Sequence, residues 1–135
     1  MQTMPKVEVV RAAWDAYAAG EVEVAFQFLS PDITWYPAAD HPGARSHHGH
    51  DELRAWIEEI ATTFSIYRMT VLGVQDLGDY VLAHGLLYAE QDGEPVIDRV
   101  TVWRCTVENG LIVRVDADAV SSPSDQPTRW ATHDD

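Results

Sequence analysis

His84 and Tyr88 are the two side chains of this sequence best suited to exchanging protons. They lie four residues apart in an alternating run, and residues at even spacing in a β-strand share one face. An imidazole titrates near neutral pH and can both accept and donate a proton. Arg99, in the next alternating run, could orient or stabilise a ligand oxygen. These residues predict acid–base catalysis without a cofactor; the alternative is a buried neutral histidine bonded to a tyrosine or a backbone carbonyl.

A histidine cluster at positions 47, 48 and 50, followed by Asp51, invites a metal interpretation. Imidazoles and carboxylates are zinc-type ligands, but this spacing matches no compact ligand motif. We therefore predict no metal here, and expect His48 or His41 to line the mouth of a pocket. The role of the other loop histidines stays open.

Cys105 is the sole cysteine, so an intrachain disulfide is impossible. It lies within an apolar strand pattern, where a lone cysteine behaves as a small buried hydrophobic residue. No basic neighbour clearly lowers its pKa, so a nucleophilic role is not expected.

Helical periodicity is confined to the first half of the chain. Apolar residues at steps of three and four predict helices over residues 6–19 and 22–29, with Gly20 ending the first. A third helix is expected after Asp51 as its N-cap, and a short strand over residues 33–36. After Phe64 the period changes to two, which predicts strands over 66–77, 80–91, 95–107 and 111–120. Asn109-Gly110 between two apolar runs is a hairpin signal.

The chain of 135 residues carries a formal net charge of -13, with Lys6 as its only lysine. Binding to nucleic acid or to anionic membranes depends on lysine and arginine, so neither is expected as a partner. No apolar run could span a bilayer, and the first residues lack a signal-peptide pattern, so we expect a cytoplasmic protein. Residues 121–135 are expected to form a mobile tail, in which Trp130 has no evident role.

The order of helix, short helix, strand, helix and meander resembles the nuclear-transport-factor-2-like (NTF2-like) superfamily, and within it the SnoaL-like, polyketide-cyclase-type proteins. The resemblance covers roughly residues 5–120 and implies an α+β cone, with three helices on a curved antiparallel sheet, as one domain over residues 1–120. It also implies a pocket at the wide end and a homodimer through the convex sheet face. The matching segments are Ala16–Glu21, Leu29–Trp35, Gly49–Leu53 and Glu108–Val115.

In the related folds a large aromatic residue before the last hairpin points inward, which selects the face of Trp103. Strand pairing then adds His84, Leu86 and Tyr88 to the interior, opposite Arg99 and Thr101. An apolar cavity with a few convergent polar groups is the usual form of a small-molecule site. The residues expected to bind the ligand are Trp14, Tyr17, Trp35, His48, Trp56, Ile60, Phe64, Leu86, Thr101, Trp103 and Val115.

The superfamily that this chain resembles hosts several activities, and the sequence does not fit all of them. The steroid-isomerase pattern would need acidic or phenolic groups at about Ala13, Pro37 and Thr101, which this sequence lacks. An epoxide or ester hydrolase would use Asp98 with Arg99, but alternation places these two on opposite faces unless a bulge intervenes. The favoured hypothesis is an isomerase-, cyclase- or dehydratase-type enzyme for a small apolar or aromatic metabolite, and the main alternative is a non-catalytic binding or dimerisation module.

Overall fold

The computed structural model describes residues 4–38, 41 and 45–119. Three helices pack on one face of a curved sheet of six strands, which confirms the predicted α+β class and the NTF2-like cone. The strand order is β2-β1-β6-β5-β4-β3, and all neighbours are antiparallel except β1 and β6. The elements are α1 (Lys6–Ala18), α2 (Val22–Phe26), β1 (Leu29–Tyr36), β2 (His47–His48), α3 (Gly49–Thr63), β3 (Ile66–Asp76), β4 (Val81–Gln91), β5 (Glu94–Glu108) and β6 (Leu111–Ala119).

The turns follow from local sequence. Gly20 has a φ of 81°, and the two backbone hydrogen bonds that close the end of α1 run from Gly20 to Tyr17 and from Glu21 to Ala16. Asn109 and Gly110 both have positive φ, as a type I′ hairpin requires, which confirms the hairpin prediction. Asp92 and Gly93 form the same kind of turn between β4 and β5.

Three details differ from the sequence predictions. The second helix ends at Phe26 rather than at residue 29, and β1 begins at Leu29. The third helix begins at Gly49, so Asp51 lies in its first turn and is not its N-cap. Instead, the Glu52 carboxylate accepts a hydrogen bond of 2.7 Å from the backbone N–H of His48.

β-Bulges interrupt the long strands and set which side chains face the helices. The extra residue is Leu72 in β3, Val96 in β5 and Val113 in β6. Leu72 and Val96 are exposed, as residues expelled from the ladder are expected to be. A bulge bends its strand and increases the twist, which helps the sheet to curl around the helices.

The core fills the concave side of the sheet. Trp103 is 2% exposed and lies between two alanines in register, Ala83 on β4 and Ala117 on β6. Cys105 is fully buried there, as predicted. Small neighbours on both flanking strands leave the room that one indole ring needs.

Within the described residues, no helix has the length and apolar character needed to cross a bilayer. The predicted tail over residues 121–135, with Trp130, lies outside the described residues. The domain boundary at residue 120 therefore stays a prediction.

Candidate functional site

Two adjoining pockets lie between the helices and the sheet. The larger has a volume of about 60 Å³, counted as the space that the centre of a water molecule can occupy. A single water needs roughly 10–15 Å³ of such space, so this pocket could hold a molecule larger than water. Its wall is almost wholly hydrocarbon. The lining residues are Ala13, Trp14, Tyr17, Ala25, Phe26, Leu29, Trp35, Leu53, Trp56, Ile57, Ile60, Tyr67 and Met69.

Four indole rings form a connected aromatic cluster around this space. Trp14 stacks on Trp35 and contacts Trp103, each with ring centroids 5.6 Å apart, and Trp35 meets Trp56 at 6.1 Å. α1 supplies Trp14, β1 supplies Trp35, α3 supplies Trp56 and β5 supplies the fourth ring. Rings at such distances and tilts attract each other, so these contacts stabilise an aromatic wall to which four separate elements contribute.

A smaller pocket of about 20 Å³ adjoins the larger one. Trp35, Trp56, Tyr67 and Met69 line both pockets. The other residues that line the smaller pocket are Pro37, Ala38, His41, Leu87, Thr101, Trp103 and Ala117. This pocket is more polar than its neighbour because a histidine, a tyrosine and a threonine meet there.

A partly buried hydrogen bond of 2.9 Å joins the His41 Nε2 atom to the Tyr67 hydroxyl. His41 is 5% exposed, and its ring meets the edges of Trp56 and Phe64 at 5.6 and 6.4 Å. His41 follows β1 in the chain, and β3 supplies the phenol from its concave face. A hydrogen-bonded imidazole and phenol are chemically able to pass a proton between them.

Burial controls the ionisation of the two phenols at this site. The pKa of Tyr67 is raised far above its ordinary value, chiefly because burial disfavours the phenolate and secondly because Tyr17 is near. Arg99 opposes this rise through its positive charge. Burial also raises the pKa of Tyr17. Both hydroxyls are therefore protonated at neutral pH and can donate hydrogen bonds, and the guanidinium favours negative charge near Tyr67.

Two buried polar atoms in the pocket walls lack a hydrogen-bond partner among the described residues. They are the Thr101 Oγ1 atom, in the smaller pocket, and the Trp14 Nε1 atom, in a residue that lines the larger one. Buried polar groups are rarely left without a partner, so such atoms call for a water molecule or a ligand.

His47 supports the aromatic wall from behind. Its ring stacks on Trp56 with centroids 4.4 Å apart and an interplanar angle of 17°. Burial is the main cause that lowers the pKa of His47, and Arg45 and His41 act in the same direction, whereas Glu52 and Glu59 oppose it. The neutral imidazole is thus the form that this packing favours.

The structure brings most of the predicted ligand-binding residues to these pockets. Arg99 is half-buried on the concave face, opposite Leu87, and Phe64 meets the rings of Tyr67 and His41. Val115 is fully buried beside Cys105 but lines neither pocket. The predicted residues that line a pocket are Trp14, Tyr17, Trp35, Trp56, Ile60, Thr101 and Trp103.

The predicted orientation of His84, Leu86 and Tyr88 is wrong. His84 and Leu86 are exposed on the convex face, and the Tyr88 hydroxyl there donates a hydrogen bond to Glu90. The side chains of β4 that face the helices are those of Val81, Ala83, Leu87 and Ala89, with Gly85 at the same parity. The cause is the bulge at Val96, because one extra residue in β5 shifts the pairing and exchanges the two faces of β4.

His48 does not line either pocket; it is exposed, and its Nδ1 atom is 3.0 Å from the Thr34 hydroxyl in a hydrogen bond. His41, the other histidine considered for the mouth of a pocket, lines the smaller one. Asp98 is exposed opposite Tyr88 on the convex face, and Arg99 is on the other face, so the pairing that a hydrolase would need does not form.

Tyr67 and Met69 line both pockets but were not among the predicted site residues. They occupy alternate positions in β3, so the period-two pattern of residues 67, 69 and 71 was a usable signal. Across the part of the chain that the structure covers, no group of three or more histidine, cysteine or acidic side chains is arranged to hold a metal ion.

Comparison of folds finds similar solved structures. A protein of unknown function with a cystatin-like fold from Xanthomonas campestris is 18% identical, with a TM-score of 0.75 over 90% of this chain and 95% of that one. A protein from Sinorhizobium meliloti, proposed to be a polyketide cyclase, is 20% identical, with a TM-score of 0.65 over 85% and 95%. TerC, co-crystallised with polyporic acid, is 16% identical, with a TM-score of 0.77 over 97% of both chains. At these identities the likeness shows a common fold.

Comparison of sequences gives the family. No curated protein matches the chain. Residues 10–115, which are most of the chain of 135, match the SnoaL-like domain. The segments that suggested this resemblance lie within or overlap that range. The chain therefore belongs to the SnoaL-like domain family of the NTF2-like superfamily.

Proposed function

We propose that this protein binds a small aromatic or apolar metabolite in the larger pocket and moves a proton on it without a cofactor, with His41 and Tyr67 as the acid–base pair. The observation that carries the proposal is the partly buried hydrogen bond between these two residues, of which Tyr67 lines both pockets. The SnoaL-like family and the proposed cyclase among the similar structures support this class of reaction.

The residues suit proton transfer at a carbon next to a carbonyl group. The His41 imidazole would take the proton from that carbon as the oxygen of the substrate gains negative charge. The Tyr67 phenol, which stays protonated, would donate a hydrogen bond to this oxygen, and Arg99 would stabilise its charge. Return of the same proton to a different carbon completes an isomerisation, so no proton is gained or lost overall.

The hydrogen bond between His41 and Tyr67 would break or rearrange as the substrate binds. Catalytic hydrogen bonds often change partners between the free enzyme and the complex, so the present contact marks reach rather than the reacting geometry. The aromatic wall of Trp35 and Trp56 would hold the substrate ring against this pair and exclude water.

A non-catalytic binding protein is the second candidate. The observation in its favour is the wall of the larger pocket. Among the described residues that line it, only Tyr17 and Tyr67 are titratable, and both have raised pKa values. The co-crystal of TerC with polyporic acid supports binding of an aromatic molecule by this fold. A hydrolase is not proposed, because Asp98 and Arg99 lie on opposite faces.

Exchange of the α-protons of 2-indanone in D₂O tests the proposal, since it detects proton abstraction without knowledge of the natural substrate. We expect the protein to accelerate exchange, and the variants His41→Ala and Tyr67→Phe each to lose on the order of 100-fold of this acceleration. His84→Gln is the matched control, because His84 is exposed on the convex face and should leave the rate unchanged.

Three other results would argue against the proposal. Binding of 2-indanone, seen by tryptophan fluorescence, without accelerated exchange would favour the binding protein. Loss of exchange in His84→Gln would contradict the assignment of the pair. If 2-indanone neither bound nor exchanged its protons, a ligand pocket of this kind would lose its support.

The homodimer and the cytoplasmic location implied by the sequence remain predictions. The convex face exposes Leu86 opposite Val100, which is compatible with a second copy covering this face. Sedimentation equilibrium of the protein and of Leu86→Glu tests the dimer, which the charged variant should weaken.

A further inference from the structure

We propose that the ligand is a single-ring molecule with a hydroxyl or carbonyl oxygen at one end, and that the Thr101 hydroxyl selects for this oxygen. The proposal rests on the proposed function only in placing a ligand in these pockets, and it does not depend on turnover. It names the class of ligand and a residue that decides specificity.

The Thr101 hydroxyl is buried without a partner. The residue is 1% exposed, and its Oγ1 atom has no hydrogen bond within the described residues. In register beside it lie Gly85 on β4 and Ala119 on β6, and neither side chain can donate or accept a hydrogen bond. A valine of the same shape would avoid the cost of burying an unpaired hydroxyl. Binding of a polar ligand group therefore explains a threonine at this position better than stability of the fold does.

The size of the smaller pocket limits which group of the ligand can bind there. Its volume of about 20 Å³ exceeds the roughly 10–15 Å³ that one water needs, but it is a third of the volume of the larger pocket. One oxygen-bearing group fits there and a second ring does not. His41 and Tyr67 line the same pocket and are hydrogen-bonding groups, so the oxygen would meet three polar side chains.

The larger pocket fixes the other end of the ligand. Its apolar wall favours a hydrocarbon ring, and the shared wall of Trp35, Trp56 and Met69 allows one molecule to reach both spaces. The Trp14 Nε1 atom is the alternative to Thr101 as a hydrogen-bond partner for the ligand oxygen. It too is buried without a hydrogen bond in the described part of the chain. A ligand in the reversed orientation would use that atom instead.

A pair of ligands and one variant, each of which exchanges a hydroxyl for a methyl group, test the inference. The ligands are p-cresol and p-xylene, and the variant is Thr101→Val. Binding is followed by titration of the indole N–H signals in ¹H–¹⁵N spectra, since four tryptophans line the pockets. We expect the affinity of p-cresol relative to p-xylene to fall about two- to tenfold in Thr101→Val, which is the effect of losing one neutral hydrogen bond.

Thr101→Ser is the matched control, because it keeps the hydroxyl and should keep the preference for p-cresol. Urea unfolding of each variant establishes that it is folded. An unchanged ratio in Thr101→Val overturns this inference and leaves the proposed pocket intact. Loss of the preference in Trp14→Phe, with its retention in Thr101→Val, overturns it in favour of the reversed orientation. If p-cresol and p-xylene both fail to bind, the pocket and this inference are overturned together.

Discussion

Gly85, in the middle of β4, is the position where a single methyl group should damage the fold most. A Cβ atom at Gly85 would lie 1.8 Å from the carbonyl oxygen of Thr70 and 2.9 Å from the Cα atom of Val71. These atoms belong to the backbone of β3 beside the bulge at Leu72. The variant Gly85→Ala therefore forces the β3 backbone to move by more than an ångström, which would break its ladder with β4.

The magnitude follows from the kind of atom that obstructs the methyl group. Overpacking in a core typically costs about 1–3 kcal/mol, and an obstacle made of hydrogen-bonded backbone belongs at the upper end. We expect Gly85→Ala to lower the free energy of unfolding by about 3 kcal/mol, which for a chain of this length lowers the melting temperature by about 10 °C. Urea unfolding followed by circular dichroism and tryptophan fluorescence measures the loss.

Gly73→Ala is the matched control within the same pair of strands. The three atoms nearest to its Cβ atom would all belong to the His84 imidazole, with Cε1 at 2.4 Å, and that side chain is exposed and can turn away. We expect a loss of less than about 1 kcal/mol, which the added change His84→Ala should remove. Equal losses in Gly85→Ala and Gly73→Ala, or a Gly85→Ala protein as stable as the parent, would refute the close approach of β3 to β4.

Two further predictions concern buried titratable groups. Because the pKa of His47 is lower in the folded protein than in the unfolded chain, its contribution to stability is full above about pH 6.5 and is lost as the pH falls below it. The variant His47→Phe, which can still stack on Trp56, should flatten the melting temperature between about pH 7 and pH 5, whereas His84→Gln should not; a profile unchanged in His47→Phe would contradict this. Burial raises the pKa of the fully buried Cys105, so a thiol reagent should label it in urea but not in the folded protein, and rapid labelling of the folded chain would refute its burial.

The sequence was sufficient to predict the fold because its local signals agree with each other. Apolar residues at steps of three and four predicted α1, and Gly20 predicted where it ends. The Asn109-Gly110 turn set the last hairpin, and the change of period after Phe64 separated the helices from the meander. Each of these signals depends on residues close together in the chain, so tertiary contacts were not needed to read them.

The face of β4 could not be read from its own alternation, because both of its faces carry apolar residues. The type I′ turn at Asp92-Gly93 pairs Gln91 with Glu94, and an unbroken ladder from there would place Leu82 opposite Trp103. The bulge at Val96 shifts the register by one residue, so that Ala83 takes this place. Proline inside a central strand is confined to bulges or strand ends, and Pro95, beside Val96, was the available signal.

The acid–base candidates were missed for a different reason. His41 lies in the segment between β1 and β2, where no periodic pattern relates one residue to the next. Its proximity to Tyr67 joins residues 26 positions apart in the chain and therefore depends on tertiary structure. Alternation could have indicated the concave face for Tyr67, but it could not have indicated the histidine that meets it.

The bulge at Val96 decides the chemistry of the interior as well as the packing. With the register that it imposes, β4 contributes only hydrocarbon groups and Gly85 to the concave face, and it is these small groups that leave room for Trp103. Polar groups must then come from β3, from β5 and from the segment after β1, which places them together at the smaller pocket. In the unshifted register, the His84 imidazole would lie opposite Thr101 in the centre of the sheet, in place of Gly85, and would fill space beside the smaller pocket that the proposed ligand would use. One unpaired residue thus keeps the β4 side of the sheet interior apolar and leaves the polar side chains at one side, where the proposed proton transfer would take place.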